Sequence, residues 1–512
     1  MAIASAPAWR AVPESGASLA VMNPVSGEVA GYVPRHSAQD VVEAVQRARQ
    51  AQVAWAALPY RQRAKPIIRF HDMILARREE LFEVMRAEAG KSWRDSFAEV
   101  FAVASEARYY AYNGEKHIRP RRTKTAIPIH DRTIVTCHPV GVVGIISPWN
   151  FPFLLSMCDA IPALLAGNAV VIKPSGVAPL AAIWGRERML ESGLPADLMQ
   201  ILTGEPVELG NALVDQADFI MFTGSTEVGR IIAERAARRL IPYSMELGGK
   251  NALIVMPDGN LKHAATVTID GAFNNNGQVC VSYERVYVHE AIYDRYVAEL
   301  IRQIRALRFG SGPGYQVDVG SMINVEHVES VEAHIADALG KGAKLLHGGQ
   351  RRPDLGPAFY EPTILEAVTP DMLAYADETF GPVIALYKFS TTDEAVRLAN
   401  DSPYGLHFGV FTGDRRAGEK LAMRLQAGSV CVNDSYVNWA SIEAPMGGFK
   451  QSGVGRRHGP EGIRKYTQSQ TIVTNQTNFQ IGSGETALAI NKTLADGLAL
   501  MLRLWRYVPF LR

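Results

Sequence analysis

The sequence predicts an α/β protein built on a parallel, doubly wound sheet, and three observations carry that prediction. Short apolar runs alternate with amphipathic stretches: Val140 to Ser147, Ala169 to Lys173, Met199 to Thr203 and Phe219 to Thr223 read as buried strands. Phe153 to Ala166, Ala178 to Ser192, Val207 to Val214 and Thr226 to Arg239 read as the helices between them. Gly224-Ser-Thr-Glu-Val-Gly229 follows one such strand and opens a helix, where free backbone N–H groups and the helix dipole can receive a pyrophosphate. As a bare pattern it fits a plain strand-to-helix turn equally well. Finally, 512 residues with 47% apolar content are enough for two or three domains and a large core.

Composition narrows the function. A formal net charge of +1, with Lys and Arg dispersed, removes the electrostatic motive for nucleic acid. Cys137, Cys158, Cys280 and Cys431 are too scattered for a disulfide framework and show no metal-ligand spacing, so a reducing cytoplasm fits. The start, Met-Ala-Ile-Ala-Ser-Ala-Pro-Ala-Trp-Arg, has neither a charged n-region nor a sustained apolar run, and reads as neither signal peptide nor spanning helix.

Along the chain, Ala38 to Ala54 and Tyr60 to Ala89 carry apolar positions at helical spacing and read as packing helices. The run Arg119 to Arg132 is polar, basic and strand-prone, the character of a solvated face. After Lys250 a second sheet-and-helix region begins. Its strands are Ala252 to Met256, Arg285 to His289 and Val383 to Lys388; its helices are Ile292 to Leu307, Val325 to Lys341, Thr392 to Ala399 and Arg415 to Leu425. Ala487, Ile490, Leu494, Leu498, Met501, Trp505 and Val508 then fall three or four apart, giving an amphipathic helix with Lys492, Arg503 and Arg506 on other faces. Docking on the protein's own subunits is the first reading of that tail. A membrane-surface helix or a lid over an apolar substrate is the alternative.

Four residues carry candidate chemistry. Cys280 ends the stretch Phe273-Asn-Asn-Asn-Gly-Gln-Val-Cys280, whose Asn, Gly and Gln predict a turn rather than a continuing helix. A thiol so presented can attack a carbonyl carbon, although a lone Cys is more often a small buried hydrophobe. Glu246 lies in an apolar strand-like run just ahead of Gly248-Gly249, a pair that admits close backbone approach. A partly buried setting would raise its pKa and make it a general base; a salt-bridged structural carboxylate is the bland reading. Asn150, in Pro148-Trp-Asn-Phe-Pro152, can point an amide at developing negative charge or simply cap the next helix. Lys173 ends its strand before Pro174, where an unpaired Lys is ordinarily a surface group.

Phe222-Thr-Gly-Ser-Thr-Glu-Val-Gly229, Glu246-Leu-Gly-Gly-Lys250, Asn275-Asn-Gly-Gln-Val-Cys280 and Glu378-Thr-Phe-Gly-Pro382 stand in the order and spacing of the aldehyde dehydrogenase superfamily, which the chain resembles from about Ala20 to about Thr474. The resemblance implies a Rossmann-type cofactor domain, an α/β catalytic domain and a small β oligomerisation element. It divides the chain into residues 1–116 and 137–248 for dinucleotide binding, 249–446 for catalysis, 117–136 and 447–480 as the oligomerisation or bridging element, and 481–512 as a C-terminal tail. It implies a homodimer or homotetramer, an aldehyde and water as substrates, and NAD or NADP as cofactor. Cys280 becomes the nucleophile, Asn150 with the Cys280 N–H the oxyanion site, and Glu246 the base that activates water against a thioester. Glu246 also decides against the CoA-acylating relatives, which dispense with such a base. Gly224, Ser225 and Gly229 would take the pyrophosphate and Lys173 a ribose. Glu378 would orient the nicotinamide ribose, with Phe380 and Trp149 beside the ring. Tyr436 to Trp439 and Ala444 to Gly455 would form a wall of the substrate funnel and the return toward the subunit interface.

Within the family the chain is most similar to an actinobacterial branch of succinate-semialdehyde dehydrogenases, through Ser452-Gly-Val-Gly-Arg-Arg-His-Gly-Pro-Glu-Gly462 and the extended tail. Two departures matter. Where NAD-preferring members carry a Glu that holds the adenosine ribose, this chain has Gly176, so the repulsion toward a 2′-phosphate is gone. Where enzymes for succinic semialdehyde place Arg against its distal carboxylate, this chain has Cys158 and Asn274. A buried carboxylate without a cation is costly, whereas Phe151, Phe153, Leu155, Met157 and Trp439 suit an apolar or aromatic aldehyde. The expectation is therefore an NAD(P)-dependent oxidoreductase for such an aldehyde, with succinate-semialdehyde dehydrogenase the alternative. A thioester hydrolase would need no phosphate turn at Gly224. A non-catalytic homologue would be expected to have lost Cys280, Glu246 or Asn150.

Overall fold

The computed structural model describes residues 18–125, 130–477, 480–485 and 487–508; the N-terminal ten residues read above lie outside them, as does part of the basic run, residues 126–129. Two parallel-rich sheets dominate. The first runs Gly453–Val454, Tyr243–Glu246, Phe219–Thr223, Val142–Ile146, Ala169–Lys173, Met199–Ile201, with only Gly453–Val454 antiparallel. Its central strands are buried along their whole length, which is why they read as unbroken apolar runs rather than alternating ones. From Val142–Ile146 the chain winds outward to Met199–Ile201, then returns to the other side with Phe219–Thr223. The order reverses between these two strands, and ligands of doubly wound sheets bind beyond the carboxyl ends at such a reversal.

The second sheet has seven strands in the order Lys344–His347, Thr363–Glu366, Val383–Phe389, Tyr283–His289, Asn251–Val255, His407–Phe411, Ser429–Val432, of which only the first is antiparallel. A third sheet is the antiparallel ribbon Thr467–Asn475, Asp131–Pro139, Arg121–Thr123. Its middle strand continues to Pro139, past the expected boundary at 136, and Gly453–Val454 of the bridging segment lends an edge to the first sheet.

Several elements differ from expectation. The run from Tyr60 breaks at Arg77 into Tyr60–Ala76 and Arg78–Ala89. Helix Trp93–Asn113, not anticipated, buries Asp95, Ser96, Glu99 and Glu106 on its inner face, and these polar residues hide the apolar period. Helix Leu261–Phe273 and the hairpin Ser18–Met22 with Val29–Pro34 were also not anticipated. In the tail, Ala487–Ala489 is a strand paired with Gln480–Gly482, so the predicted helix begins only at Lys492 and ends at Trp505, capped by the Asn491 side chain. Among the described residues no helix is long and apolar enough to cross a membrane.

Candidate active site

Helix Leu261–Phe273 ends in a turn of Asn275, Asn276 and Gly277, all at positive φ, so the chain leaves the helix axis and delivers Cys280 to the edge of both sheets. Side-chain amides lock this turn. Asn275 Nδ2 donates to the carbonyls of Asn150 (3.0 Å) and Gln278 (3.2 Å), and Asn150 Nδ2 donates to Gln278 O (3.1 Å). The Asn275 N–H reaches Asp95 Oδ1 at 3.3 Å, and Asn251 Nδ2 donates to Cys280 O at 2.8 Å. A Cβ on Gly249 would fall 2.7 Å from Cys280 O, and one on Gly248 would fall 2.6 Å from Glu378 Oε2. The Gly-Gly pair is thus what lets the strand carrying Glu246 run against the turn carrying Cys280.

Glu246 ends its strand in register with Thr223 on one side and Gly453 on the other. Its carboxylate is buried and both oxygens lack a hydrogen-bond partner among the described residues. Burial pushes its pKa up to about 7, against the opposing pull of Arg457 and Lys465. Burial likewise pushes the Cys280 thiol up to about 12, helped by Glu378 and Glu246 and opposed by Arg457. Two cavities meet at this thiol. One is a cleft of about 710 Å³ lined by Trp149, Asn150, Gly224, Ser225, Glu246, Glu378 and Phe380. The other, about 550 Å³, is lined by Ala102, Phe151, Leu155, Asn274, Tyr436, Trp439 and a few further residues, none charged. Cys280 is the one residue lining both.

The first cleft lies beyond the strand reversal. Ser225 caps helix Thr226–Arg238 by accepting the Val228 N–H, and Gly229 allows that helix to approach Leu247, whose Cδ2 would be 2.6 Å from an added Cβ. Lys173, expected as a surface group in the absence of a ligand, is buried, and desolvation draws its pKa down to about 8. A Cβ on Gly176 would meet nothing within 4 Å, so that position faces open space. Glu378 accepts the Gly249 N–H at 2.9 Å and is pushed up to about 8 by burial and by Glu284. Phe380, at φ 54°, is held at both ends: its N–H donates to Glu284 Oε1 at 3.0 Å and its carbonyl accepts from His327 Nε2 at 2.8 Å. Trp149 packs edge-on to both Phe380 (5.5 Å) and His327 (5.2 Å).

Not every expected pocket residue faces a cavity. Cys158 lies farther along helix Leu154–Leu165, 1% exposed, with its thiol on Asp159 at 3.6 Å, and does not line the apolar cavity. Phe153 packs edge-on to Trp184 and Met157 lies against Gly185, both in the core, because that helix is buried all round and shows the cavity only Leu154 and Leu155. Sequence reasoning missed Glu284, which ties down the Glu378–Phe380 loop with buried Lys250 at 2.5 Å, and His327. It also missed Arg457, ion-paired with Asp159 across 298 positions, a separation at which no local pattern survives. Among the described residues no group of His, Cys, Asp and Glu is placed to hold a metal ion.

The chain is similar to known proteins over most of its length. The model of the aldehyde dehydrogenase family matches residues 11–472. A Mycolicibacterium smegmatis protein, described provisionally as a succinate-semialdehyde dehydrogenase using NADP(+), is 44% identical over 445 residues, 87% of this chain and 86% of the relative. The crystal structure of an aldehyde dehydrogenase from Brucella melitensis biovar abortus superposes with a TM-score of 0.87 at 33% identity, covering 93% of this chain and all of that one. A betaine aldehyde dehydrogenase from Staphylococcus aureus in complex with NAD+ gives 0.86 at 33% identity over 91% of this chain and 93% of its own.

Proposed function

The chain belongs to the aldehyde dehydrogenase family, and from that premise we propose that it oxidises an apolar or aromatic aldehyde to its carboxylic acid through a thioester on Cys280. The observation that carries this reading is the thiol standing where a polar cleft and an uncharged cavity meet. The protein is an NAD(P)-dependent enzyme, and the residues of the cleft fit a dinucleotide. Gly224, Ser225 and Gly229 offer a helix N-terminus to the pyrophosphate, Lys173 a ribose contact, and Trp149, Glu378 and Phe380 the nicotinamide end. The cofactor, when bound, supplies the acceptor for hydride.

In this reading the Cys280 thiol gives up its proton to solvent and the thiolate adds to the aldehyde carbon, forming a thiohemiacetal oxyanion. One N–H of the Asn150 amide is engaged by Gln278 O; the second, with the Cys280 N–H, is left for the new oxyanion. Loss of hydride from carbon leaves a thioester. Glu246, unpaired and poised near neutrality, takes a proton from water, whose oxygen attacks the thioester carbon and releases the acid and the Cys280 thiolate. Cys280→Ala should abolish oxidation while cofactor binding persists; retained turnover would sink the assignment.

A second reading, succinate-semialdehyde dehydrogenase, is favoured by the description of the mycobacterial relative. A buried cation beside the apolar wall is Lys91, whose Nζ lies over the Phe151 ring at 3.9 Å and pairs with Glu99 at 2.9 Å. It is thereby engaged on both sides. Reduced nicotinamide followed by absorbance over a panel of succinic semialdehyde, aliphatic and aromatic aldehydes decides between the readings, the highest kcat/KM naming the substrate class.

We also read the enzyme as cytoplasmic, in line with four cysteines too scattered along the sequence for a disulfide framework, and as a homodimer or homotetramer assembled through the antiparallel ribbon and the tail. Membrane contact through helix Lys492–Trp505 is the alternative role for that tail, since Leu500, Leu502 and Leu504 on it are exposed.

A further inference from the structure

Beside the cleft lies a buried charge cluster that the reaction as written does not use. Arg457 Nε and Nη2 donate to Asp159 Oδ2 at 2.9 and 2.7 Å, and Nη2 also donates to Thr223 Oγ1 at 2.5 Å. The other Asp159 oxygen accepts from Lys465 Nζ at 3.0 Å and from the Tyr466 hydroxyl at 2.7 Å. A pair serving only to join two segments is complete with one cation and one anion. Here two cations share one carboxylate, and Glu106, the other acid close by, is driven toward its neutral form by burial and by Asp159. The cluster therefore carries excess positive charge in a place shielded from solvent, where a charge acts over distance.

The backbone joins that cluster to the strand of Glu246. Thr223 is the register partner of Glu246 and lines the same cleft. Arg457 exchanges two backbone hydrogen bonds with Met446, at 2.7 and 2.9 Å, and a Cβ on the adjacent Gly447 would lie 3.1 Å from Glu246 Oε1. The charged groups bearing on Cys280 are Glu378, Glu246 and Arg457; those bearing on Glu246 are Arg457, Lys465, Asp159 and Arg456. Arg457 leads the stabilisation of the Glu246 carboxylate against burial and acts in the same direction on the thiolate.

We propose that Arg457, anchored by Asp159 and Thr223, is a positioning residue that holds a fixed positive charge against the Cys280–Glu246 pair and favours the anionic forms both need. The inference rests on Cys280 and Glu246 being the nucleophile and base of the proposed function. Its test uses the full chain without cofactor: the rate of Cys280 alkylation by iodoacetamide across neutral and alkaline pH, resolved by peptide mass spectrometry from the other thiols. Arg457→Gln should move the profile up by about one pH unit, so that alkylation at a fixed pH below the midpoint is about tenfold slower. Arg457→Lys should restore it. Superimposable profiles for parent and a folded Arg457→Gln overturn the proposal. Should that variant not fold, Asp159→Asn with Arg457 intact removes the opposing anion instead; the profile should then move down, and an unmoved or raised profile overturns the proposal equally. A wrong nucleophile shows itself separately, as aldehyde turnover surviving in Cys280→Ala.

Discussion

Glu246, in the role of base proposed above, would serve turnover at the expense of the fold. Burial lifts its pKa from 4.5 to about 7, so the folded chain prefers the neutral acid. The stability it contributes is present below about 4.5 and is lost as pH rises through about 7. The base it provides is gained over that same upper range. Glu246→Gln should therefore unfold at a higher Tm than the parent above about pH 7 and at a similar Tm in acid, while thioester hydrolysis falls by about 10²–10⁴ and loses its rise through neutrality. Thermal melts and single-turnover acid release check the two halves. At Gly176 the prediction is simpler. The space beside it is open, so Glu fits without strain, and Gly176→Glu should raise the KM for NADP by about tenfold or more while leaving that for NAD little changed. An equal change for both cofactors would place the 2′-phosphate elsewhere. Cys280, Glu246, Asn150 and the glycine turn were legible because each sits inside a short contiguous motif. Cys158 was misjudged for the opposite reason: its orientation depends on which face of an all-apolar helix meets the cavity, and periodicity is silent when every position is buried.

At the scale of elements, helix Trp93–Asn113 does the most to hold the site together, and it was the largest element that the sequence did not reveal. Glu99 on it meets the start of helix Leu154–Leu165 by accepting the Phe153 and Leu154 N–H groups, Asp95 receives the Asn275 N–H, and Ala102 lines the apolar cavity. Its inner face needs carboxylates as partners for backbone donors, and those same carboxylates erase the amphipathic pattern by which helices are found. Ala102→Phe should fill the cavity, lowering kcat/KM for aromatic aldehydes by about tenfold or more while sparing short aliphatic ones, because volume is lost without touching the thiol. A uniform loss across the panel would mean the helix had shifted instead. Seven parallel strands, by contrast, were located to within a few residues, since a strand buried on both faces leaves an unbroken apolar run, whereas Thr363–Glu366, His407–Phe411 and Ser429–Val432 were not read from the sequence.

For the whole molecule the open question is what covers the antiparallel ribbon. Thr467–Asn475 is an edge strand of nine residues with Ile472 and Val473 44% and 59% exposed. A long bare edge, here mostly polar with an exposed Ile-Val pair, offers unpaired backbone groups to another chain. If the ribbon builds the assembly, Val473→Lys should shift the protein to a smaller species by light scattering with its melting temperature little altered. An unchanged mass would leave the tail helix as the contact to test. Only the family resemblance pointed to this element, because assembly depends on surfaces that the fold brings together from residues more than 300 positions apart.

The meeting of two cavities at a single sulfur also bears on how such a scaffold diverges. Since the uncharged cavity shares only Cys280 with its neighbour, its walls can be rebuilt while the redox half stays intact. A lineage can thus exchange one aldehyde for another with a handful of substitutions, whereas overall identity is dominated by the two large sheets. Inherited labels then track ancestry of the scaffold rather than diet, and the wall residues are where a change of diet would be written.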